Sequence, residues 1–205
     1  MKSLFIVIDG IDGSGKGEII KRLQNEFFDK SKSNLVLTTR EPTASHFGKE
    51  IRKMLKESKD PKADNKKLLE LYTKDRAWHL TNIIEPFLQQ TEITPIVLCD
   101  RYYYSTIVYQ HVQGIPLDDV IAANSIFRKP DITFILDLPA NVALKRIKAA
   151  RASLEKFEQE DFLENVRNQF KQLPKHLEDN IKFIDATQTI DEVYKNIKKH
   201  IEQLL

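Results

Sequence analysis

Apolar residues come along this chain in short runs, Leu4 to Ile8, Leu35 to Thr39, Ile96 to Cys99, Ile132 to Leu136 and Lys182 to Ile184. Each is too short for a helix of ordinary length and reads as a β-strand. Between them the apolar positions recur at helical spacing. They predict helices from Lys16 to about Phe28, Gly48 to Glu57, Lys66 to about Leu88, Tyr103 to Val112, Leu117 to Phe127, Asn141 to Ala150, Asp161 to Leu173 and Ile190 to Leu204. Strand alternating with helix predicts an α/β fold, a five-stranded parallel sheet flanked by helices on both faces, because parallel neighbours need a crossover and the crossovers bury the sheet. Pro86 is expected to kink or shorten the long third helix, since it lacks an N–H donor and crowds the preceding turn. Lys56 to Lys67, rich in lysine and aspartate, reads as an exposed connection.

The sharpest local feature lies where the first run ends. Phe5-Ile-Val-Ile-Asp-Gly-Ile-Asp-Gly-Ser-Gly-Lys-Gly17 carries an apolar strand into a glycine-rich loop that closes on lysine, ahead of an amphipathic stretch. Gly10, Gly15 and Lys16 keep the G-x-x-x-x-G-K spacing, with Gly13 inside it. Glycines let main-chain N–H groups turn toward an anion, the following helix adds its positive end, and the lysine supplies a mobile charge. Gly10, Ile11, Asp12, Gly13, Ser14, Gly15 and Lys16, with Gly17 and Glu18 behind them, are therefore read as a nucleotide-phosphate cradle; the plainer alternative is a glycine-rich turn. A dinucleotide fingerprint fits less well, having a different glycine spacing and no use for Lys16. Position 17 is glycine where the motif ends in Ser or Thr, which deletes the hydroxyl that would touch Mg²⁺.

A length of 205 residues suits one domain, residues 1–205, with a core that needs no staples. Lys and Arg number 32 against 30 Asp and Glu, so the total shows no footprint of a general nucleic-acid binder. Local arginines must carry any anion binding. Cys99 is the only cysteine and sits inside an apolar run, which favours a packing role. The first strand follows Met1 closely without a basic leader, and no stretch reaches the roughly 18 apolar residues of a membrane span. The expectation is a cytoplasmic chain that binds neither nucleic acid nor membrane. The histidines show no metal-ligand spacing.

Ligands of open parallel sheets lie beyond the carboxyl ends of the strands. The segments there are the glycine loop, Arg40-Glu-Pro42, Asp100-Arg-Tyr-Tyr-Tyr-Ser105 and Asp137-Leu-Pro139. Asp100 ends an apolar run, the setting of a carboxylate that holds Mg²⁺ or one of its waters, and equally of a helix N-cap. Arg52, Arg76 and Arg101 read singly as surface side chains, yet a phosphate acceptor needs planar donors of this kind.

Taken in order, the glycine loop, Arg40-Glu-Pro42, Leu69-x-x-x-x-x-Asp-Arg76, Asp100-Arg-Tyr-x-x-Ser-x-x-x-Tyr-Gln110, Lys129-Pro-Asp-Ile-Thr-Phe-Ile-Leu-Asp-Leu-Pro139 and Ile184-Asp-Ala186 resemble the thymidylate kinase family over nearly the whole chain. The resemblance implies a P-loop nucleoside monophosphate kinase-like fold with a short lid at about residues 146–160. It implies ATP as phosphoryl donor, dTMP as acceptor, Mg²⁺ as cofactor and a homodimer. It carries Arg52, Arg76 and Arg101 over to the dTMP phosphate, Pro42 and Tyr72 to the nucleotide, Tyr72 standing where the family usually stacks phenylalanine on thymine. Asp12 goes to the acceptor 3′-hydroxyl, Ser105 and Thr106 to the base pocket, and Tyr109 to the sugar wall that excludes a 2′-hydroxyl. Asp9 stands where the family often has glutamate and joins Asp100 on the metal side. Arg151-Ala-Ser-Leu-Glu-Lys-Phe-Glu158 resembles the family's lid, so Lys16, Arg101 and Arg151 are the catalytic cations, with Arg146 and Lys156 behind Arg151. Two other readings stay open at this point, a kinase for another nucleoside monophosphate and a nucleotide-binding regulator weakened in catalysis by Gly17 and Glu18.

Overall fold

The apolar runs order the molecule. In the computed structural model, which describes residues 3–30, 34–57, 60, 63–91, 94–150, 157 and 159–204, they form strands β1 (Leu4–Asp9), β2 (Asn34–Arg40), β3 (Thr94–Asp100), β4 (Ile132–Asp137) and β5 (Ile181–Asp185). All are parallel in one sheet of order β2-β3-β1-β4-β5. Every residue of β1 is buried, as are Pro95 to Cys99 of β3, so both faces of the central strands are covered. That burial is why these strands read as unbroken apolar runs and not as alternating ones. The edge strand β5 alternates instead, with Phe183 exposed and Ile184 buried.

The crossovers are α1 (Lys16–Lys30), α2 (His46–Glu57), α3 (Asn65–His79), α4 (Glu85–Leu88), α5 (Tyr103–Val112), α6 (Leu117–Asn124), α7 (Ala140–Ala150) and α8 (Glu160–Gln172), and α9 (Ile190–Glu202) follows the last strand. Among the described residues no helix is long and apolar enough to cross a membrane. The helix predicted from Lys66 to Leu88 differs from expectation. α3 runs into a π-helical turn at Leu80–Ile84, where the N–H of Glu85 donates to the carbonyl of Leu80, and α4 follows with Pro86 in its first turn. The wider turn lets the chain stay helical through a residue that has no N–H to give, so Pro86 does not end the segment. α6 also stops earlier than predicted, at Asn124, because the Ser125 and Phe127 N–H groups fold back onto the Ala122 and Asn124 carbonyls.

Register puts the chemistry at one rim. Ile8 pairs with Asp100 and Arg40 with Asp100, so the ends of β1, β2 and β3 lie side by side where the glycine loop begins. The segment after β2 is anchored by Asp75 of α3, whose carboxylate accepts from the Thr43 N–H at 2.7 Å, the Thr43 hydroxyl at 2.6 Å and the Ser45 hydroxyl at 2.6 Å. Gly48 of α2 lies flat on this anchored turn: a Cβ there would stand 2.0 Å from the Thr43 carbonyl oxygen. Gly48→Ala is expected to force α2 off the turn and to cost about 3 kcal/mol of stability, at the upper end for overpacking. Urea unfolding of the two proteins measures it.

Candidate active site

The glycine loop is shaped by close approach as well as by backbone freedom. Gly13 has φ 77°, and a Cβ on it would meet the Ala143 carbonyl oxygen of α7 at 2.5 Å. Only glycine lets the loop lie this close to α7 in that conformation. Lys16, buried at the first position of α1, turns back over the loop and donates from Nζ to the carbonyls of Gly10 (3.1 Å) and Ile11 (3.0 Å). Burial lowers its pKa below the ordinary 10.5, Arg101 lowers it further, and Asp100, Asp12 and Asp9 pull it back. Glu18 points away from the loop and pairs with Arg22 at 3.1 Å, which also holds Asp191 of α9.

Asp9 differs from a free metal-side carboxylate. Its Oδ1 accepts from the Gly10 N–H (2.8 Å) and the Ser105 hydroxyl (2.6 Å), and its Oδ2 from the N–H groups of Tyr102 (3.2 Å) and Ser105 (3.1 Å). It straps the end of β1 to the first turn of α5. Burial raises its pKa, against the opposing pull of Arg101, Ser105, Gly10 and Lys16. Arg101 sits above it with φ 67°, a left-handed conformation that a non-glycine residue adopts under strain and that is commonest at functional sites. Its guanidinium donates to the Ser105 hydroxyl and to Asp12 Oδ1, both at 2.7 Å, and lies 5.5 Å from the Tyr109 ring centroid. Burial works against the charge of Arg101, but Asp12, Tyr109, Asp9 and Asp100 outweigh it and raise its pKa, so the cation is held.

Beside Arg101 opens a cavity of about 310 Å³. Asp12, Arg101 and Ser105 line its end next to the glycine loop, and Pro42, Arg52, Tyr72, Arg76, Thr106 and Tyr109 line the rest. The acceptor-site residues predicted from sequence thus share one concave surface. Burial pushes the Tyr72 phenol up to about 12, leaving an un-ionised ring on the wall. Arg52 donates to the carbonyls of Pro42 and Thr43, the latter at 2.5 Å. Arg76 is fully buried and largely committed: Nε and Nη2 donate to Glu41 Oε2 at 3.0 and 2.7 Å, Nη2 to the Thr106 hydroxyl at 2.8 Å, and Nη1 to Asn124. One Nη1 hydrogen is left over, which does not make the two-pronged phosphate clamp the sequence suggested. Arg146 donates to the Ala186 carbonyl at 3.0 Å, tying α7 to the turn before α9. Arg151 and Lys156 lie outside the described residues.

Sequence reasoning missed several neighbours. Glu41 and Arg76 are 35 residues apart, and no spacing rule joins a strand end to a helix interior. Arg40 and Phe157 also line the cavity, and Arg40 makes no side-chain hydrogen bond or ion pair among the described residues. Phe157 and Phe162 pack against Tyr109 with ring centroids 5.3 and 6.1 Å away. Ser14 Oγ, Asp100 Oδ1, the Tyr109 hydroxyl and both amide atoms of Gln110 are buried without a hydrogen-bond partner. Unpaired buried polar atoms are costly, and these lie on the glycine loop, at the end of β3 and along α5. Gln110 had a signal in the sequence, as the last residue of the motif that begins at Asp100.

Comparison with known proteins places nearly the whole sequence in one family. The sequence model of the thymidylate kinase family matches residues 8–197. The chain is 39% identical over 213 residues to a thymidylate kinase of Caldicellulosiruptor saccharolyticus, covering 100% of this chain and 98% of that protein. It is 36% identical over 203 residues to a probable thymidylate kinase of Pyrococcus horikoshii (96% and 95% covered) and 34% identical over 201 residues to a thymidylate kinase of Desulfotalea psychrophila (98% and 95%).

The lowered pKa of Lys16 gives a signed expectation. A polyphosphate beside Nζ favours the charged form and raises the pKa again, so binding takes up protons where the unliganded lysine is partly neutral, a window that opens below the ordinary 10.5. Affinity for ATP should therefore fall as pH rises through that window. Calorimetry in buffers of different ionisation enthalpy should detect the uptake in the native protein and lose it in Lys16→Met.

Proposed function

We infer that this chain, which belongs to the thymidylate kinase family, transfers the γ-phosphoryl group of ATP to the 5′-phosphate of dTMP, giving dTDP and ADP. The observation that carries the reading is the single cavity that starts at Asp12 and Arg101, against the glycine loop, and ends among Tyr72, Thr106 and Arg76. Such a cavity can hold a nucleoside monophosphate with its phosphate turned toward a second nucleotide's phosphates. An oxygen of the dTMP phosphate attacks the γ-phosphorus, the bond to the β,γ-bridging oxygen breaks, and ADP leaves with that electron pair. The acceptor is already anionic, so alignment and charge neutralisation carry the catalysis.

The chain's own residues divide as follows in this reading. The main chain from Gly10 to Gly17 cradles the ATP phosphates, and Lys16 swings from its loop carbonyls onto them. Arg101, held by Ser105 and Asp12, grips the acceptor phosphate, with Arg52 and the uncommitted Arg40 as further cations. Tyr72 and Pro42 flank the base, and Tyr109 stands at the level of the sugar, next to the phosphate grip. At the base end Thr106 accepts from Arg76, so its own hydrogen is free to donate; together with the spare Arg76 N–H it offers donors to a carbonyl edge. Arg146 and Arg151 belong to the lid segment and bring cations to the donor side.

Mg²⁺ fits the residues present. Asp100 Oδ1 is buried and unpaired near Lys16, and no described cluster of three or more His, Cys, Asp or Glu gathers to hold a metal unaided. This suits an ion carried by phosphates, water and one carboxylate, with Asp100 as that carboxylate and Asp9 kept as a strap. Asp100 would hold the ion on the protein side, and the charge it would supply there is what offsets the negative phosphates. The same kinship supports a homodimer as the working assembly.

Initial rates of ADP formation with dTMP, dUMP, dCMP and dGMP test the reaction directly. dTMP should be preferred, and Lys16→Ala should lower turnover by about a thousandfold or more. ADP formation indifferent to dTMP would favour the regulator reading, and preference for another monophosphate would reassign the acceptor. A second test concerns the glycine at position 17, where an added Cβ would meet nothing within 4 Å. Gly17→Ser should fold normally and lower the Mg²⁺ concentration that half-saturates ATP binding by about fivefold, one hydroxyl's worth of about 1 kcal/mol. Calorimetric titration reads this without turnover, and an unchanged Mg²⁺ dependence would separate position 17 from the metal.

A further inference from the structure

Behind the base end of the cavity lies a buried polar chain that none of the roles above requires. It starts at Thr39 on β2, whose hydroxyl oxygen is 2.7 Å from Nε2 of His79, the last residue of α3. His79 Nδ1 is 3.1 Å from Glu41 Oε1, and Glu41 Oε2 takes both Nε and Nη2 of Arg76. Side chains of His79 and Arg76 are 0% exposed and that of Glu41 is 3% exposed. A carboxylate can only accept, so Nδ1 carries the hydrogen it gives to Glu41, and in the neutral ring Nε2 takes the hydrogen of the Thr39 hydroxyl.

This arrangement decides where Arg76 points. Its guanidinium is planar, and Glu41, Thr106 and Asn124 fix the directions of all but one of its N–H groups, so the remaining one is fixed too. Glu41 in turn would be free to rotate about its side-chain bonds if only Arg76 held it; the His79 contact locks its second oxygen. His79 is also where the regular helix gives way to the π turn at Leu80–Ile84, a local irregularity that occurs often at functional sites. We propose that His79, acting through Glu41, is a positioning residue for Arg76 and thereby sets which pyrimidine the cavity accepts. A base that presents a carbonyl at this edge meets two donors, Arg76 N–H and Thr106 O–H. Cytosine presents an amino group there, itself a donor, and leaves both unpaired. Letting the guanidinium tilt relaxes that penalty and weakens the hold on the correct base together.

The inference rests on the dTMP kinase reading, and the experiment keeps the two apart. kcat and KM are measured for dTMP, dCMP and ATP in the native protein, His79→Leu, His79→Gln and His79→Asn, with thermal unfolding of each. Leucine keeps apolar bulk and neither hydrogen bond, glutamine can reach Thr39 but not Glu41, and asparagine keeps an N–H near the Nδ1 position. In His79→Leu and His79→Gln the dTMP over dCMP ratio of kcat/KM should fall about tenfold, the loss of roughly one charge-assisted hydrogen bond. KM for dTMP should rise while KM for ATP stays within about twofold. His79→Asn should keep most of the ratio. Should leucine prevent folding, glutamine reads the same quantity. An unchanged ratio in a folded Leu or Gln variant, or an Asn variant as damaged as these, overturns the inference and leaves the kinase intact. Native protein without dTMP-dependent ADP formation overturns the underlying reading instead.

Discussion

One buried carboxylate holds the site in register. Asp9 ends β1 with both oxygens pointing into main-chain and hydroxyl donors from Gly10, Tyr102 and Ser105. The glycine loop therefore leaves the sheet at a fixed angle to α5, and Arg101 and Ser105 arrive at the same place from β3. Taking a carboxylate out of water is costly, and here four donors offset part of that cost. Asp9 thus ties the glycine loop to the start of α5, and the Arg101–Asp12 ion pair adds a second tie between the loop and the end of β3.

Around that joint, positive and negative groups alternate. Lys16 is flanked by Asp100 and Asp12, Arg101 by Asp12 and Asp9, and Arg76 by Glu41. A row of buried cations without these carboxylates would repel itself and resist folding. With them the cations are held in place and aimed, a surface organised before any anion arrives. Arg40, which also lines the cavity, has no such carboxylate partner among the described residues.

Much of this was legible in the sequence, and the boundary has a physical cause. Strands, crossovers and the glycine loop are written in local patterns, since burial on both faces shows as a continuous apolar run and close approach to α7 shows as Gly13. The residues that line the cavity come from motifs whose order along the chain marks them in the sequence. Contacts between distant segments left no such trace. Glu41 with Arg76, Asp75 with Thr43 and Ser45, and Asp9 with the amides of α5 join residues tens of positions apart, and each changes what a neighbouring side chain can do. The π turn was invisible for another reason: Pro86 signals a missing donor, yet the sequence does not say whether the chain will break there or widen by one residue.

Lys16 resting on the Gly10 and Ile11 carbonyls has a bearing on inhibitor design. The loop caps itself, so a neutral compound pushed into it must dislodge an ammonium from two oxygens and give back nothing comparable. Chemists would do better to leave that lysine asleep and to work from the other end of the cavity, where Thr106 and Arg76 lie among aromatic rings that favour a flat, uncharged scaffold.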